Sequence, residues 1–149
     1  MARKVVLVSH PERPDAAVTV NAVAKHLTDL GIDVVQSYSP EALEGAELIL
    51  VIGGDGTILR AAEFGRPAGI PILGINYGHV GFLSEADPDD VPLVIQQIAT
   101  GAWQINSRMT IDVTVSRPDG TVSRSWALND AAIEKDEHSL MFEASIGVD

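Results

Sequence analysis

The sequence predicts an α/β fold, a parallel sheet with flanking helices over residues 1–101, followed over 102–149 by the start of an all-β domain. Three observations carry this. Short runs rich in β-branched residues (Lys4 to Ser9, Ile32 to Val35, Leu48 to Ile52, Ile70 to Ile75) alternate with segments of helical period. Strands that alternate with helices over short loops pack as a parallel sheet with right-handed crossovers. Two of the runs, at Ile52 and Ile75, end in glycine-rich polar turns. Beyond Gly101 the apolar period falls to two, the mark of antiparallel strands.

Lys4 to Ser9 reads as a first buried strand, and His10-Pro11-Glu12-Arg13-Pro14 ends it, since proline continues neither strand nor helix cleanly. Val20, Val23, Leu27 and Leu30 then recur at three- and four-residue spacing, with Gly31 as the stop of an amphipathic helix. His26 falls on its polar face and is expected to be solvated. Ile32 to Val35 supplies a second strand, and Ser39-Pro40-Glu41 a capped short helix. Leu48 to Ile52 has no polar residue, as a strand covered on both faces requires. Asp87-Pro88-Asp89-Asp90 opens another helix, whose apolar face is Val91, Val94, Ile95 and Ile98. Acidic residues in a first turn favour the helix dipole, which is a more ordinary cause for this cluster than a metal. Ile111, Val113 and Val115, the turn Arg117-Pro118-Asp119-Gly120, and Thr121 to Ala127 make a hairpin; Leu140 to Val148 alternates as one more strand.

With 149 residues, 46% of them apolar, the chain can bury a core. A formal charge of −11 argues against nucleic acid or an anionic membrane as main partner, because both need a basic surface. The absence of cysteine removes disulfides, zinc thiolate sites and cysteine catalysis. No apolar run approaches the ~18 residues of a membrane span, so the expected location is cytoplasmic.

The chemistry concentrates at Gly53-Gly54-Asp55-Gly56-Thr57, at the carboxyl end of the third strand. Ligands of open α/β sheets bind at such ends. The three glycines are expected to turn the backbone with positive φ and bring amides near a ligand, and Thr57 to open a helix through Glu63. Amides at such a turn suit phosphate. Asp55 is either a turn residue, since Asp-Gly is a common turn dipeptide, or a group that handles a hydroxyl or a metal. Neither a Gly-x-Gly-x-x-Gly fingerprint nor a Gly-Lys-Ser/Thr phosphate loop is present, so an ordinary dinucleotide dehydrogenase and a P-loop enzyme do not fit. Asn76 ends the fourth strand and suits either a ribose hydroxyl or a base edge, or a left-handed turn.

Gly-Gly-Asp-Gly-Thr resembles the signature shared by NAD kinases, diacylglycerol and sphingosine kinases and, with Ser for Thr, phosphofructokinases. Gly74-Ile75-Asn76-Tyr77-Gly78-His79-Val80-Gly81-Phe82-Leu83 resembles the second signature of bacterial NAD kinases, where lipid kinases would carry Gly-Thr-Gly-Asn-Asp. Asn129-Asp130 is similar to their third. The resemblance covers all 149 residues. It implies a Rossmann-like α/β domain, and transfer of the γ-phosphoryl group of ATP, or of polyphosphate, to the 2′-hydroxyl of the adenosine ribose of NAD.

By that resemblance Gly54, Gly56 and Thr57 hold phosphates, with Mg²⁺ offsetting their charge, and Asp55 takes the proton of the attacking hydroxyl. Arg60 contacts phosphate or forms a surface ion pair. Asn129 and Asp130 hold ribose and amide groups of the dinucleotide, a carboxylate being able to accept both hydroxyls of a diol. The partners implied are NAD and ATP, with a homo-oligomer for the full-length form. The family's later strands, with an Asp and a Thr-Gly-Ser-Thr-Ala-Tyr segment, have no counterpart here. The expectation is therefore an N-terminal half whose β part self-associates and which makes no NADP alone. The alternatives are a lipid or sugar kinase of the same superfamily, and a nucleotide-binding fragment without turnover.

Overall fold

The computed structural model describes residues 3–10, 14–77, 81–134 and 145–147. The elements are β1 (Lys4–Ser9), α1 (Pro14–Asp29), β2 (Asp33–Gln36), a 3₁₀ turn (Pro40–Leu43), β3 (Leu48–Gly53), α2 (Asp55–Ala68) and β4 (Ile72–Asn76). A second 3₁₀ turn (Pro88–Asp90), α3 (Val91–Thr100), β5 (Ile111–Ser116) and β6 (Val122–Ala127) follow. Two compact units result, Met1–Ile105 and Asn106–Asp149.

In the first unit four strands pair in parallel in the order β2-β1-β3-β4. Val5 lies opposite both Val34 and Leu48, and Ile52 lies between Ser9 and Ile75. The order changes direction between β1 and β3, so the ligand crevice of such a sheet opens at their carboxyl ends. Every residue of β3 is buried, as its unbroken apolar run requires of a strand covered on both faces. Val5, Leu7, Leu48, Leu50 and Ile52 join Val20, Val23, Leu27, Ile95 and Ile98 of α1 and α3 in one core. The alternate residues Val6, Val8, Ile49 and Val51 are equally buried on the other face, where α2 supplies Ile58, Ala61 and Ala62. Leu30, expected on the apolar face of α1, follows the helix and is half exposed.

Three glycines set the distance of α2 from the sheet. An added Cβ would stand 2.6 Å from Thr57 Oγ1 at Gly53, 2.6 Å from Ile49 Cδ1 at Gly65 and 2.4 Å from Ile58 Cδ1 at Gly74. The helix runs past Glu63 to Ala68, with Pro67 tolerated in its last turn, and closes at Gly69 (φ 67°). There the Ile70 amide donates to Gly65 O (3.2 Å), satisfying a terminal carbonyl. At the opposite end of the sheet Arg3 pairs with Glu47 (2.7 Å) and donates to Ala99 O (2.7 Å), tying the start of β1 to the end of α3. The acidic Asp87–Asp90 segment serves its helix start, the Asp87 amide donating to the Asp90 carboxylate (3.0 Å).

The second unit contains the antiparallel pair β5 and β6, with Ile111 opposite Ala127. Gly120 (φ 84°) makes the turn, and Asp119 accepts from the Thr121 hydroxyl (2.7 Å) and amide (2.9 Å). The Thr121 hydroxyl bond, with the amide bond second, holds the Asp119 carboxyl below its ordinary range. Of the strand expected over Leu140 to Val148, residues 140–144 and 148 lie outside the described residues, and 145–147 carry no regular structure.

The glycine contacts make one substitution decisive. Gly53→Ala places a methyl 2.9 Å from Thr57 Cβ, an atom fixed to the helix backbone. A loss of about 1–3 kcal/mol is expected, the usual cost of overpacking, read as a lower urea midpoint at unchanged slope. An unchanged midpoint would mean that α2 can slide off β3 without cost.

Candidate functional site

Helix α2 begins at the crevice. Gly54 is its N-cap, in extended conformation (φ −96°, ψ −174°), and Asp55 its first residue. Two expectations are corrected here. The glycines with positive φ lie elsewhere, so Gly53, Gly54 and Gly56 do not form a left-handed turn. The helix starts two residues before Thr57, because Thr57 and Ile58 both send their amides to Gly54 O (2.9 and 3.2 Å).

Thr57 is buried against Gly53 with its N–H already donated, which removes its amide from the set expected to hold phosphate. The amides of Asp55 and Gly56 precede the first closed turn and have no intrahelical acceptor. A Cβ at Gly54 or Gly56 would meet nothing within 4 Å. The fold leaves both positions free to carry a side chain, whereas a ligand lying against this backbone needs them bare.

The Asp55 carboxylate does not close a local turn. Its two oxygens accept from the Phe82 amide (3.0 Å, Oδ2) and the Leu83 amide (3.1 Å, Oδ1), across the unit on the loop after β4. Gly81 allows this approach, since a Cβ there would stand 2.5 Å from Asp55 Oδ1. The loop is tied at its base as well. Asn76 N–H donates to Ala86 O (2.7 Å), Glu85 N–H to Gly74 O (3.0 Å) and Tyr77 N–H to Gly53 O (3.1 Å). Each carboxylate oxygen of Asp55 keeps a further lone pair for a ligand.

Asn76 ends β4 opposite Gly53 and, two residues beyond Gly74, lies on the same face of the strand, the one turned to α2. It is only 8% exposed, and among the described residues its Oδ1 has no hydrogen-bond partner. Leaving such an acceptor unmet costs roughly 1–3 kcal/mol. On the core side of the same strand end, the Tyr77 hydroxyl meets Thr19 Oγ1 at 2.5 Å.

Arg60 lies further along α2, exposed, with its guanidinium 5.8 Å from the centroid of the Tyr38 ring. The surface ion pair entertained for it is not formed among the described residues. Tyr38 follows β2; burial raises its phenol, while the Arg60 charge and a backbone hydrogen bond with Ser9 act the other way. Asn129 and Asp130 follow β6 in the second unit, both exposed. The first unit thus gathers Gly54, Asp55, Gly56 and Asn76 at one sheet end, with Thr57 beneath. Sequence reasoning missed the Phe82 and Leu83 amides as partners of Asp55, and Tyr38 as partner of Arg60. Gly81-Phe82-Leu83 was visible as part of a motif; Tyr38 carried no signal beyond following a strand. Among the described residues no three His, Asp or Glu side chains converge on a metal position.

Residues 10–103 match the ATP-NAD kinase N-terminal domain. The chain is 37% identical to NAD kinase 2 of Streptomyces avermitilis, over 99% of its own length and 55% of that protein's. It is 40% identical to the NAD kinase of Thermobifida fusca, over 99% and 53%. It spans about half the length of the curated relatives it matches. In fold it is similar to yeast NADH kinase complexed with NADH, with a TM-score of 0.63 at 18% identity over 86% of this chain and 47% of that one. An NAD kinase from Archaeoglobus fulgidus in complex with ATP superposes with a TM-score of 0.52 at 25% identity, over 74% and 40%. The family match spans most of the chain and includes the Gly53–Thr57 turn, the Asp55 carboxylate and the loop it holds: the chain belongs to the ATP-NAD kinase family.

Proposed function

We propose that this chain carries the nucleotide-handling part of an NAD kinase, which moves the γ-phosphoryl group of ATP to the 2′-hydroxyl of the adenosine ribose of NAD. One observation supports this above the rest. Bare backbone at Gly54 and Gly56 lies beside a carboxylate fixed by two amides, at the positive end of a helix. The names of the relatives agree with it, as do the NADH and ATP of the structural neighbours.

Phosphoryl transfer needs positioning and charge neutralisation more than covalent help from the protein. The Asp55 and Gly56 amides would take phosphate oxygens, as helix N-termini do. Asp55 would accept the 2′-hydroxyl proton as the new oxygen–phosphorus bond forms, while the bond to the β-phosphate oxygen breaks and ADP leaves. The amides of Phe82 and Leu83 hold the carboxylate still for that role, and its spare lone pairs receive the hydroxyl. Asn76 Oδ1, an acceptor without a donor, suits a ligand hydroxyl. Asn129 and Asp130 are assigned to the dinucleotide.

A divalent ion fits this donor set. Magnesium commonly binds one or two carboxylates together with substrate phosphates, and Asp55 is the carboxylate at hand. When bound it would neutralise phosphate charge. Use of polyphosphate as donor, a cytoplasmic location and a homo-oligomeric full-length form belong to the same reading.

Separate titrations with NAD, Mg-ATP and diacylglycerol micelles, with an assay for NADP, test the assignment. Binding of diacylglycerol but not NAD would overturn it. Three substitutions resolve the roles. Gly56→Ala lies in the first turn of α2, outside the helix interior, and is expected to leave stability within about 0.5 kcal/mol while weakening ATP binding at least severalfold. Retained affinity would remove the backbone contact.

Asp55→Asn should lower kcat by about 10² to 10⁴ with NAD affinity within a few fold. An amide there still accepts one of the two loop N–H groups, so loosening of the loop would appear in affinity instead. An unchanged kcat would leave Asp55 an anchor only. Asp130→Ala should raise KM for NAD more than for ATP, and equal effects would count against its assignment.

A further inference from the structure

A polyphosphate at the α2 N-terminus needs a cation, and on a chain of charge −11 cations are scarce. Among the described residues of the first unit most are spent or misplaced. Arg3 and Lys4 stand at the amino end of the sheet, bound to Glu47 and to the Glu44 carbonyl. Lys25 pairs with Asp29 on α1. Arg66 sits in the last turn of α2. Arg60 remains, exposed and without a carboxylate partner among the described residues.

Its Cα is about 7.5 Å along the axis from that of Asp55, at 1.5 Å per residue. Long side chains on a helix lean toward its N-terminus, which for Arg60 is the direction of the crevice. An exposed arginine ordinarily samples many rotamers. This one rests 5.8 Å from the centroid of the Tyr38 ring, which is partly exposed and stands close to the Ser9 backbone at the carboxyl end of β1. An aromatic ring restrains a guanidinium without neutralising it, which an ion pair would do.

We propose that Tyr38 is a positioning residue, whose ring holds the Arg60 guanidinium toward the phosphates of the donor nucleotide at the start of α2. The inference rests on the reading of that helix start as the donor site. It adds a device that the glycine motif does not contain, carried on the segment between β2 and β3.

Affinities for Mg-ATP and for NAD are to be measured by isothermal titration on the chain and on Arg60→Met, Tyr38→Leu and Tyr38→Phe, each checked by thermal melting. Arg60→Met should weaken ATP about tenfold, as loss of a charged hydrogen bond does. Tyr38→Leu should weaken it about two- to fivefold, the value of an exposed cation–π contact, and Tyr38→Phe, which keeps the ring, less than about twofold. NAD affinity should not move. In the unsubstituted chain the Arg60 side-chain N–H resonance should shift on addition of ATP and not of NAD, a readout that needs no variant.

Equal ATP affinity for Tyr38→Leu and the unsubstituted chain, with Arg60→Met impaired, would overturn the positioning role and leave the donor site standing. A Tyr38→Phe defect as large as that of Leu would overturn the role of the ring. If Arg60→Met binds ATP normally, or the Arg60 resonance of the unsubstituted chain does not move with ATP, Arg60 has no phosphate contact and the proposal falls. ATP binding that Gly56→Ala does not weaken would overturn the donor site itself.

Discussion

The close seating of α2 on the sheet is the constraint from which the candidate site follows. Gly53, Gly65 and Gly74 each stand where a Cβ would enter a neighbouring side chain. Their shared effect is to lower the helix onto β3 and β4 until its first turn meets the strand ends. Glycine inside a helix, as at Gly65, costs about 0.5–1 kcal/mol relative to alanine. The buried face formed by Ile49, Val51, Ile58, Ala61 and Ala62 more than offsets that, since a single buried aliphatic side chain contributes roughly 1.5–3 kcal/mol.

Helix seating also explains how a carboxylate can sit among amides meant for an anion. Asp55 occupies the first position of α2, where the helix dipole favours negative charge. Its hydrogen bonds come from Phe82 and Leu83, outside the helix, so the amides of its own turn are not consumed. The turn after β3 and the loop after β4 become one assembly joined through a single side chain. The paired backbone at Gly74, Asn76 and Ala86 keeps the base of that loop narrow, and the Asp55 contacts at Phe82 and Leu83 lie just beyond it.

What could be read in advance depended on the range of the interaction. The strands of the sheet announced themselves by short β-branched runs, of which β1 and β3 are the buried ones, and the hairpin from Ile111 to Ala127 by its period of two, because both signals are local. The motif around Asp55 was visible as a motif and misread as a conformation. Asp-Gly looks like a turn, yet a glycine cap and a buried Thr57 let the helix absorb it. The contacts of Asp55 with Phe82 and Leu83, and of Arg60 with Tyr38, join segments distant in sequence and left no periodic trace. Helix α2, expected through Glu63, runs on to Ala68, and in a last turn closed by Gly69 the missing N–H of Pro67 is a small loss.

Arg3 carries a consequence of another kind. By holding Glu47 and the Ala99 carbonyl at once, it brings the entry of the first unit beside the end of α3, at the end of the sheet remote from Asp55. Protein units whose ends meet tolerate rewiring of their connectivity. A circular permutant of this unit could join its old ends with a short linker there, leaving the strand tips around Gly54 and Asn76 undisturbed.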